Sequence, residues 1–474
     1  MNLEFVRPLI RYLPEVRLPK RHVSFKEKII WTSSVLFLFF VMGVIYPVHV
    51  GPTDLPPAYQ QFTVIFASTM GTIISAGIGP IVTASIILQL LVGAEMIDID
   101  LTTEDGKALF QGAQKILTIL ISFFEAGAIV VGFRLGAEYL GASWGLMNPF
   151  VLFTIFQIAL GSILLMYMDE VVSKWGIGSG IGLFIAGGVS KEIANASLTL
   201  LPWIDPVRFS GVPLGVIPNF IEKASQGPVD FMLLFPLIAT LVVFLVVVFC
   251  ESIRIEIPLS YGGIRGVGGR YPIKFFYVSN IPVILAAALL ANVQMLPGIV
   301  GVNIYNPQPI EEMNLLQSSV FQISQLIALR DLNGILRPDN LYKLADVNVL
   351  IHLIVYLTVF TGLCVLFGKF WVETTGLGAE QVAERIQQGG MQIPGFRRDQ
   401  RVIERVLNRY IPQITIISSV AVGLLAAGAD LLGAIGSGTG ILLTVGILYH
   451  LYEEIQQEQM SEMHPMFRRF MGRI

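Results

Sequence analysis

Charge is what this sequence lacks. Asp, Glu, Lys and Arg make up 14% of its 474 residues, against about 25% in a soluble globular domain. Length alone suggests about three soluble domains, but so few charges exclude an ordinary soluble fold, a disordered chain and a coiled coil alike. Cysteine is nearly absent: Cys250 and Cys364 both sit in apolar runs and cannot make a disulfide framework. Histidine is sparse too. His22, His49, His352, His450 and His464 are scattered and compose no metal-ligand set. A net charge of −3 gives no global basic field for nucleic acid, so any such contact must come from local patches.

Apolar residues fill the space, at 54% of the chain and a mean hydropathy of +0.70. A helix needs about 20 of them to cross a hydrocarbon core about 30 Å thick. Runs 29–53, 139–168, 231–250, 275–310, 347–368, 410–429 and 431–452 hold no charge at all. Segment 108–133 is interrupted only by Lys115 and Glu125, and 175–198 only by Lys191 and Glu192. The run 55–94 is 40 uncharged residues, more than one span. Ten spans are expected, with no cleavable leader before them, because the first 28 residues are charged and hold Pro8, Pro14 and Pro19.

Orientation follows from Lys and Arg. With the N-terminus in the cytoplasm, 24 of the 31 basic residues fall on the cytoplasmic side and 7 on the other. That asymmetry is the positive-inside pattern, and both termini are expected in the cytoplasm.

Within 55–94, Thr53 or Asp54 can cap a helix whose first turn takes Pro56 and Pro57. Residues 55–68 then give a helix too short to cross, which is tolerated only in a cavity or against protein. A second helix, 72–92, is expected to cross. Residues 1–28 form a cytoplasmic segment in which Leu3, Val6, Leu9, Ile10 and Leu13, interleaved with Arg7, Arg11 and Arg17, predict an interfacial helix within 3–21.

The polar connection 199–230 divides the chain into halves 29–198 and 231–452, followed by a tail, 453–474. Five spans per half force opposite orientations. Gly79-Pro80 and, in the second half, Asn280-Ile-Pro282 interrupt corresponding helices, which points to a path between inverted halves. Two cytoplasmic loops stand out. Loop 251–274 reads as an extended hairpin with Arg265 near its tip. Loop 369–409 reads as two short helices, about 378–388 and 399–409, with Arg397, Arg398, Arg401, Arg405 and Arg409 clustered.

Little of this can do chemistry. Gly368-Lys369 is followed by Phe370, so it is no phosphate loop. Intramembrane proteolysis would need a zinc site, a serine with a histidine partner or a buried aspartate pair, and none is found. No catalytic residues, metal or cofactor are expected. Glu125 is read as the one charge deep in a span, and its expected partners are polar side chains such as Thr83 or Asn292. A solute transporter with inverted repeats is the competing reading, although a single carboxylate without a basic partner fits it poorly.

The stretches Gly77-Ile-Gly-Pro-Ile-Val-Thr-Ala84, Leu109-Phe-Gln-Gly112, Lys174-Trp-Gly-Ile-Gly-Ser-Gly-Ile-Gly182, Ser279-Asn-Ile-Pro-Val-Ile-Leu285, Trp371-Val-Glu-Thr-Thr375 and Gly438-Thr-Gly-Ile-Leu-Leu443 resemble, in the same order, the SecY family in its archaeal form. The resemblance implies an all-α integral membrane protein, ten transmembrane helices in two inverted five-helix halves with a re-entrant plug helix at about 55–68. It implies a channel that passes unfolded polypeptide and releases hydrophobic segments sideways into lipid. Its aliphatic ring would be Ile78, Val82, Ile177, Ile181, Ile284 and Leu443, for which ordinary core packing is the plain alternative. Ile177 fits only if its helix begins deep inside a cytoplasmic funnel. The lateral gate would lie between helices 72–92 and 275–294, with Thr83, Glu125 and Asn292 as its polar cluster.

The resemblance further implies a single-span SecE-like subunit, a second small subunit of SecG or beta type, and residence in the cell membrane. Arg265, Arg397, Arg398 and Arg401 would then meet a ribosome, through rRNA phosphates, or another cytosolic targeting partner. Topology-setting charge is the plain alternative for those arginines.

Overall fold

Ser24, Thr103, Asn148, Ser179 and Asp346 each accept a hydrogen bond from a backbone N–H two or three residues on, and a helix begins after every one of them. A computed structural model describes residues 7–51, 63, 66–93, 96–97, 103–141, 144–145, 147–200, 214–228, 230–261, 268–278, 280–302, 313–329, 332–388, 391–392 and 400–463.

In chain order the elements are α1 (Arg7–Ile10), α2 (Phe25–Met42), α3 (Gly79–Gly93), α4 (Glu104–Gly132), α5 (Ala137–Leu140), α6 (Pro149–Trp175), α7 (Gly180–Leu198), α8 (Val216–Gln226) and α9 (Phe235–Ser252). Strands β1 (Arg254–Tyr261) and β2 (Gly268–Lys274) follow, then α10 (Ile281–Ile299), α11 (Leu315–Leu326), α12 (Val347–Thr374), α13 (Ala379–Gln388), β3 (Met391–Gln392), α14 (Gln400–Leu432) and α15 (Gly438–Met463).

Six helical stretches among the described residues are long and apolar enough to cross a membrane: Asp105–Gly132, Pro149–Trp175, Phe231–Ser252, Ile281–Gly298, Val347–Gln388 and Arg401–Leu432. The chain is a multi-pass membrane protein. The other four expected spans fall on α2, α3, α7 and α15, which are shorter or more polar. Helix α3 has only 15 residues, while α2 opens on Lys26, Glu27 and Lys28 and α7 carries Lys191 and Glu192.

Several expected boundaries move. The helix expected at 72–92 begins at Gly79, because residues 69–78 form turns instead. Gly77 sits at φ +55°, where a Cβ would run into the Phe66 carbonyl, and the Ile78 N–H donates to that carbonyl at 2.8 Å. Among the described residues 7–21, the interfacial helix expected in 3–21 shows one turn, α1, followed by extended chain and turns. That chain is held by side chains of α6: Lys174 Nζ reaches Glu15 at 2.9 Å and the Val16 carbonyl at 2.6 Å. The helix expected at 399–409 does not stop there; it runs on through Pro412 as the 33-residue α14. Of the short helix expected at 55–68, all but Thr63 and residues 66–68 lie outside the described residues.

The expected hairpin forms, with Arg254 opposite Lys274 and Ser260 opposite Gly268. Loop 369–409 then adds β3 to it, Ser260 opposite Gln392, in the order β2-β1-β3. Loops 251–274 and 369–409 thus share one small sheet, an exception to an otherwise helical fold. One apolar cluster runs through the protein, from Phe39 and Leu165 through Leu285 and Phe360 to Leu443. Small residues bring backbones close: a Cβ at Gly161 would collide with the Ile73 carbonyl, and one at Gly368 with Ser419.

Candidate gate and pore

Three helix starts, those of α3, α7 and α10, meet the middle of α15. Proline lies in the first turn of α3 and α10, as Pro80 and Pro282, while Ser179 caps α7 and Ser437 caps α15. The first turns of α3, α7 and α10 and the middle of α15, with Gln114 of α4 and Trp371 of α12, wall a cavity of about 390 Å³. Val82, Ile181 and Ile284 line it. Ile78 and Leu443, each 0% exposed, sit with Val82 in the shared apolar cluster, and Ile181 and Ile284 pack against that cluster. Three of the six expected ring residues, Val82, Ile181 and Ile284, thus share one cavity, and Ile78 and Leu443 are buried in the cluster around it.

Ile177 stands apart. It is buried, but it precedes the Ser179 cap, lies outside the shared cluster and donates its N–H to Thr32 Oγ1 on α2 at 3.0 Å. Ile81, Leu285 and Ile447 also line the cavity. Helical spacing from Ile78 and Leu443 would have found Ile81 and Ile447, at i+3 and i+4.

The cavity's polar side chains are Ser85, Gln89, Gln114, Ser179, Asn280, His450 and Glu454, and no lysine or arginine lines it. Gln89, 4% exposed, receives no hydrogen bond at its Oε1. Glu454 stands at the rim, where burial raises its carboxyl above the ordinary range, Glu458 adds to the shift, and Lys28 and the Gly178 N–H oppose it. No group of three or more His, Cys, Asp or Glu able to hold a metal occurs among the described residues.

Beside this cavity runs a hydrogen-bonded relay across three helices. Asn292 Nδ2 on α10 donates to Thr83 Oγ1 on α3 at 2.9 Å, and Thr83 Oγ1 donates to Glu125 Oε1 on α4 at 2.7 Å. Glu125 is 6% exposed. Gly79 makes room for it, since a Cβ there would lie 2.6 Å from Glu125 Oε2. All three expected gate residues thus form one chain that joins α10 to α3.

A second buried carboxylate was missed between two uncharged runs. Asp430 accepts from the Gly438 N–H at 2.6 Å and from Thr439 Oγ1 at 3.0 Å, and so holds the start of α15. Among the expected docking arginines, Arg401 lies exposed in the first turn of α14, whereas Arg265, Arg397 and Arg398 lie outside the described residues. The base of the hairpin is fastened to α15 through Glu453, which pairs with Lys274 at 2.6 Å and Arg254 at 3.2 Å.

With this geometry established, relatives fit it closely. The SecY family model matches residues 72–452. The protein translocase subunit SecY of Methanocaldococcus jannaschii is 44% identical over 98% of this chain and 99% of its own length. That of Methanococcus vannielii is 43% identical over 99% of each. Among solved structures, one described as a protein conducting channel superposes with a TM-score of 0.80 at 42% identity, covering 97% of this chain and 98% of its own. Sec61 in the canine ribosome–channel complex from the endoplasmic reticulum superposes with a TM-score of 0.77 at 42% identity, over the same shares of the two chains. This chain belongs to the SecY family.

Proposed function

We propose that this chain is the central subunit of a protein-conducting channel, with Val82, Ile181, Ile284, Ile78 and Leu443 as its constriction and α3 and α10 as the two sides of a lateral gate. The observation that carries the reading is the aliphatic wall that Val82, Ile181 and Ile284 give one cavity from three helices, with no metal-ligating group among the described residues. A polypeptide offers every side-chain type, so a conduit for it works by flexible apolar contact instead of selective ligation. Hydrophobic segments leave sideways once α3 and α10 part, because lipid is then their most favourable surrounding. The ten spans, their division into inverted halves and the plug at 55–68 complete the proposal. Ile177 is assigned to the funnel wall above the ring.

A secretory chain stalled in the complex should crosslink to a photoreactive residue at Ile284 or Ile447. Solute-coupled flux in proteoliposomes without such crosslinks would overturn the channel reading in favour of a transporter.

The proposed surroundings are the cell membrane, with both termini cytoplasmic, a single-span SecE-like subunit and a second small subunit. The orientation is tested by Arg401→Cys in intact cells. Labelling is expected only after the cytoplasmic face is opened; labelling from outside would invert the ten-span topology.

Arg265, Arg397, Arg398 and Arg401 are proposed to dock a ribosome, or another cytosolic partner, through bidentate pairing of guanidinium with phosphate. Arg265→Glu with Arg397→Glu should weaken ribosome co-sedimentation about tenfold or more at physiological salt and flatten its salt dependence. Unchanged binding with normal assembly would leave these arginines as topology determinants only.

A further inference from the structure

Helix α11 is built inside out. At about 100° per residue, Leu315, Leu316, Ser319, Gln322, Ile323 and Leu326 share one arc of about 120°. All six are exposed, Leu315 at 87% and Leu316 at 61%. The other side carries Gln317, Ser318, Ser324 and Gln325 with half-buried Val320 and Phe321 among them, and it is the side turned to the protein, with Ser324 only 3% exposed. A helix at a water surface has the reverse distribution.

Two of the inward polar side chains are also consumed. Gln317 Nε2 donates to the Val300 carbonyl at 3.0 Å, and Gln317 Oε1 accepts from the Asn314 N–H at 3.2 Å. Ser324 Oγ donates to the Phe321 carbonyl at 2.7 Å.

What covers the outward face can be read from its chemistry and neighbours. No charged residue occurs from Met313 to Leu329. A protein partner would normally meet a polar rim and hydrogen-bonding groups, but here most of those groups point inward. The helix packs against α10 and α12, both long and apolar enough to span. The exposed apolar surface continues onto the first turns of α12 at Val347, Leu350, Ile351 and Ile354. At about 1.5 Å per residue, the 12 residues of α11 reach about 18 Å, too short to cross.

We propose that α11 lies in the membrane interface with its aliphatic face seated in lipid acyl chains, as a float attached to the end of the gate helix α10. The attachment is made at both ends of α11: Gln317 holds Val300, and Gln294 Nε2 on α10 donates to the Ile327 carbonyl at 3.5 Å. His352 on α12 shares a hydrogen bond with the Ala328 carbonyl at 2.8 Å, which fixes the segment on its other flank. Parting α10 from α3 therefore drags a lipid-seated element with it. The proposal rests on the topology above only for which leaflet the helix occupies.

The test uses the full complex in phosphatidylcholine–phosphatidylglycerol bilayers, with Leu316→Trp and Ile323→Trp read as difference spectra against the five native tryptophans. Each added tryptophan should emit to the blue and be quenched at least about twofold by lipid brominated at a shallow acyl position, with little quenching by aqueous iodide. Asp339→Trp, on an exposed turn, should behave in the opposite way. Iodide quenching without bromolipid quenching would overturn the proposal in favour of a water-facing helix. Protection from both quenchers would overturn it in favour of a protein partner.

Ser319→Cys, a small change on the same arc, carries a nitroxide if the tryptophan variants fail to assemble. Its accessibility to oxygen should then exceed that to an aqueous nickel chelate, and the reverse order overturns the lipid seat. Asp339→Cys with an impermeant thiol reagent in sealed vesicles reports the leaflet separately, so a wrong topology and a wrong lipid seat give different results.

Discussion

Replacing Val82, Ile181 and Ile284 together with glycine is expected to leave the reconstituted complex conducting ions at rest, about tenfold or more above the wild-type baseline. The three side chains line one wall each of the cavity, from α3, α7 and α10. Ile78 and Leu443, the other two proposed ring residues, are 0% exposed. An apolar constriction excludes ions because they cannot shed hydration there; removing the side chains widens it until water enters. Deleting 57–66 should add to the leak if the proposed plug is a second seal in series. Ordinary core packing predicts a different outcome: each lost aliphatic would cost about 1–5 kcal/mol and appear as poor assembly. Bilayer conductance of purified complexes at matched assembly separates the two. A well-assembled triple variant that stays electrically silent would mean these side chains are packing and not constriction.

Much of this architecture is legible because a bilayer forces long uncharged runs onto the sequence, and such runs are countable. Hydropathy cannot separate an apolar helix from an apolar turn, however, and residues 72–78 show it. The start of α3 is set by Gly77 at positive φ and by the hydrogen bond from Ile78 to Phe66, contacts that no local window contains. Strand β3 is two residues long and exists only because β1 is there to pair with it. The helix expected at 399–409 merged with the next span, since Pro412 sits inside α14 without ending it.

The gate relay was legible for the opposite reason. A lone carboxylate in segment 108–133 must find donors, and apolar neighbours leave few candidates. Asp430 escaped notice because it falls between two uncharged runs, where it looks like a boundary; its partners show it to be a buried cap. Helix α11 is amphipathic by spacing, yet only exposure reveals which face is turned outward.

Asn292→Ala is expected to shift the gate toward its open state by about fivefold, and two effects of the same sign produce the shift. In the closed state the substitution removes the 2.9 Å donation to Thr83, worth about 1 kcal/mol net. In the open state it spares the cost of presenting an amide to lipid, which opposes opening in the wild type. Thr83→Ala should act more strongly, because it also strips Glu125, 6% exposed, of its 2.7 Å donor. The double variant should fall short of the sum by about 0.5–1.5 kcal/mol, as expected for members of one relay. Gly79→Ala tests the same relay without deleting a polar group. Its new Cβ would lie 2.6 Å from Glu125 Oε2, so the carboxylate that accepts from Thr83 must shift. Distances between spin labels on α3 and α10 read the gate directly, and export of a reporter with a weak signal sequence reads the consequence. Unchanged distances in both Asn292→Ala and Gly79→Ala, with the complex intact, would mean that α3 and α10 are held together by apolar packing alone.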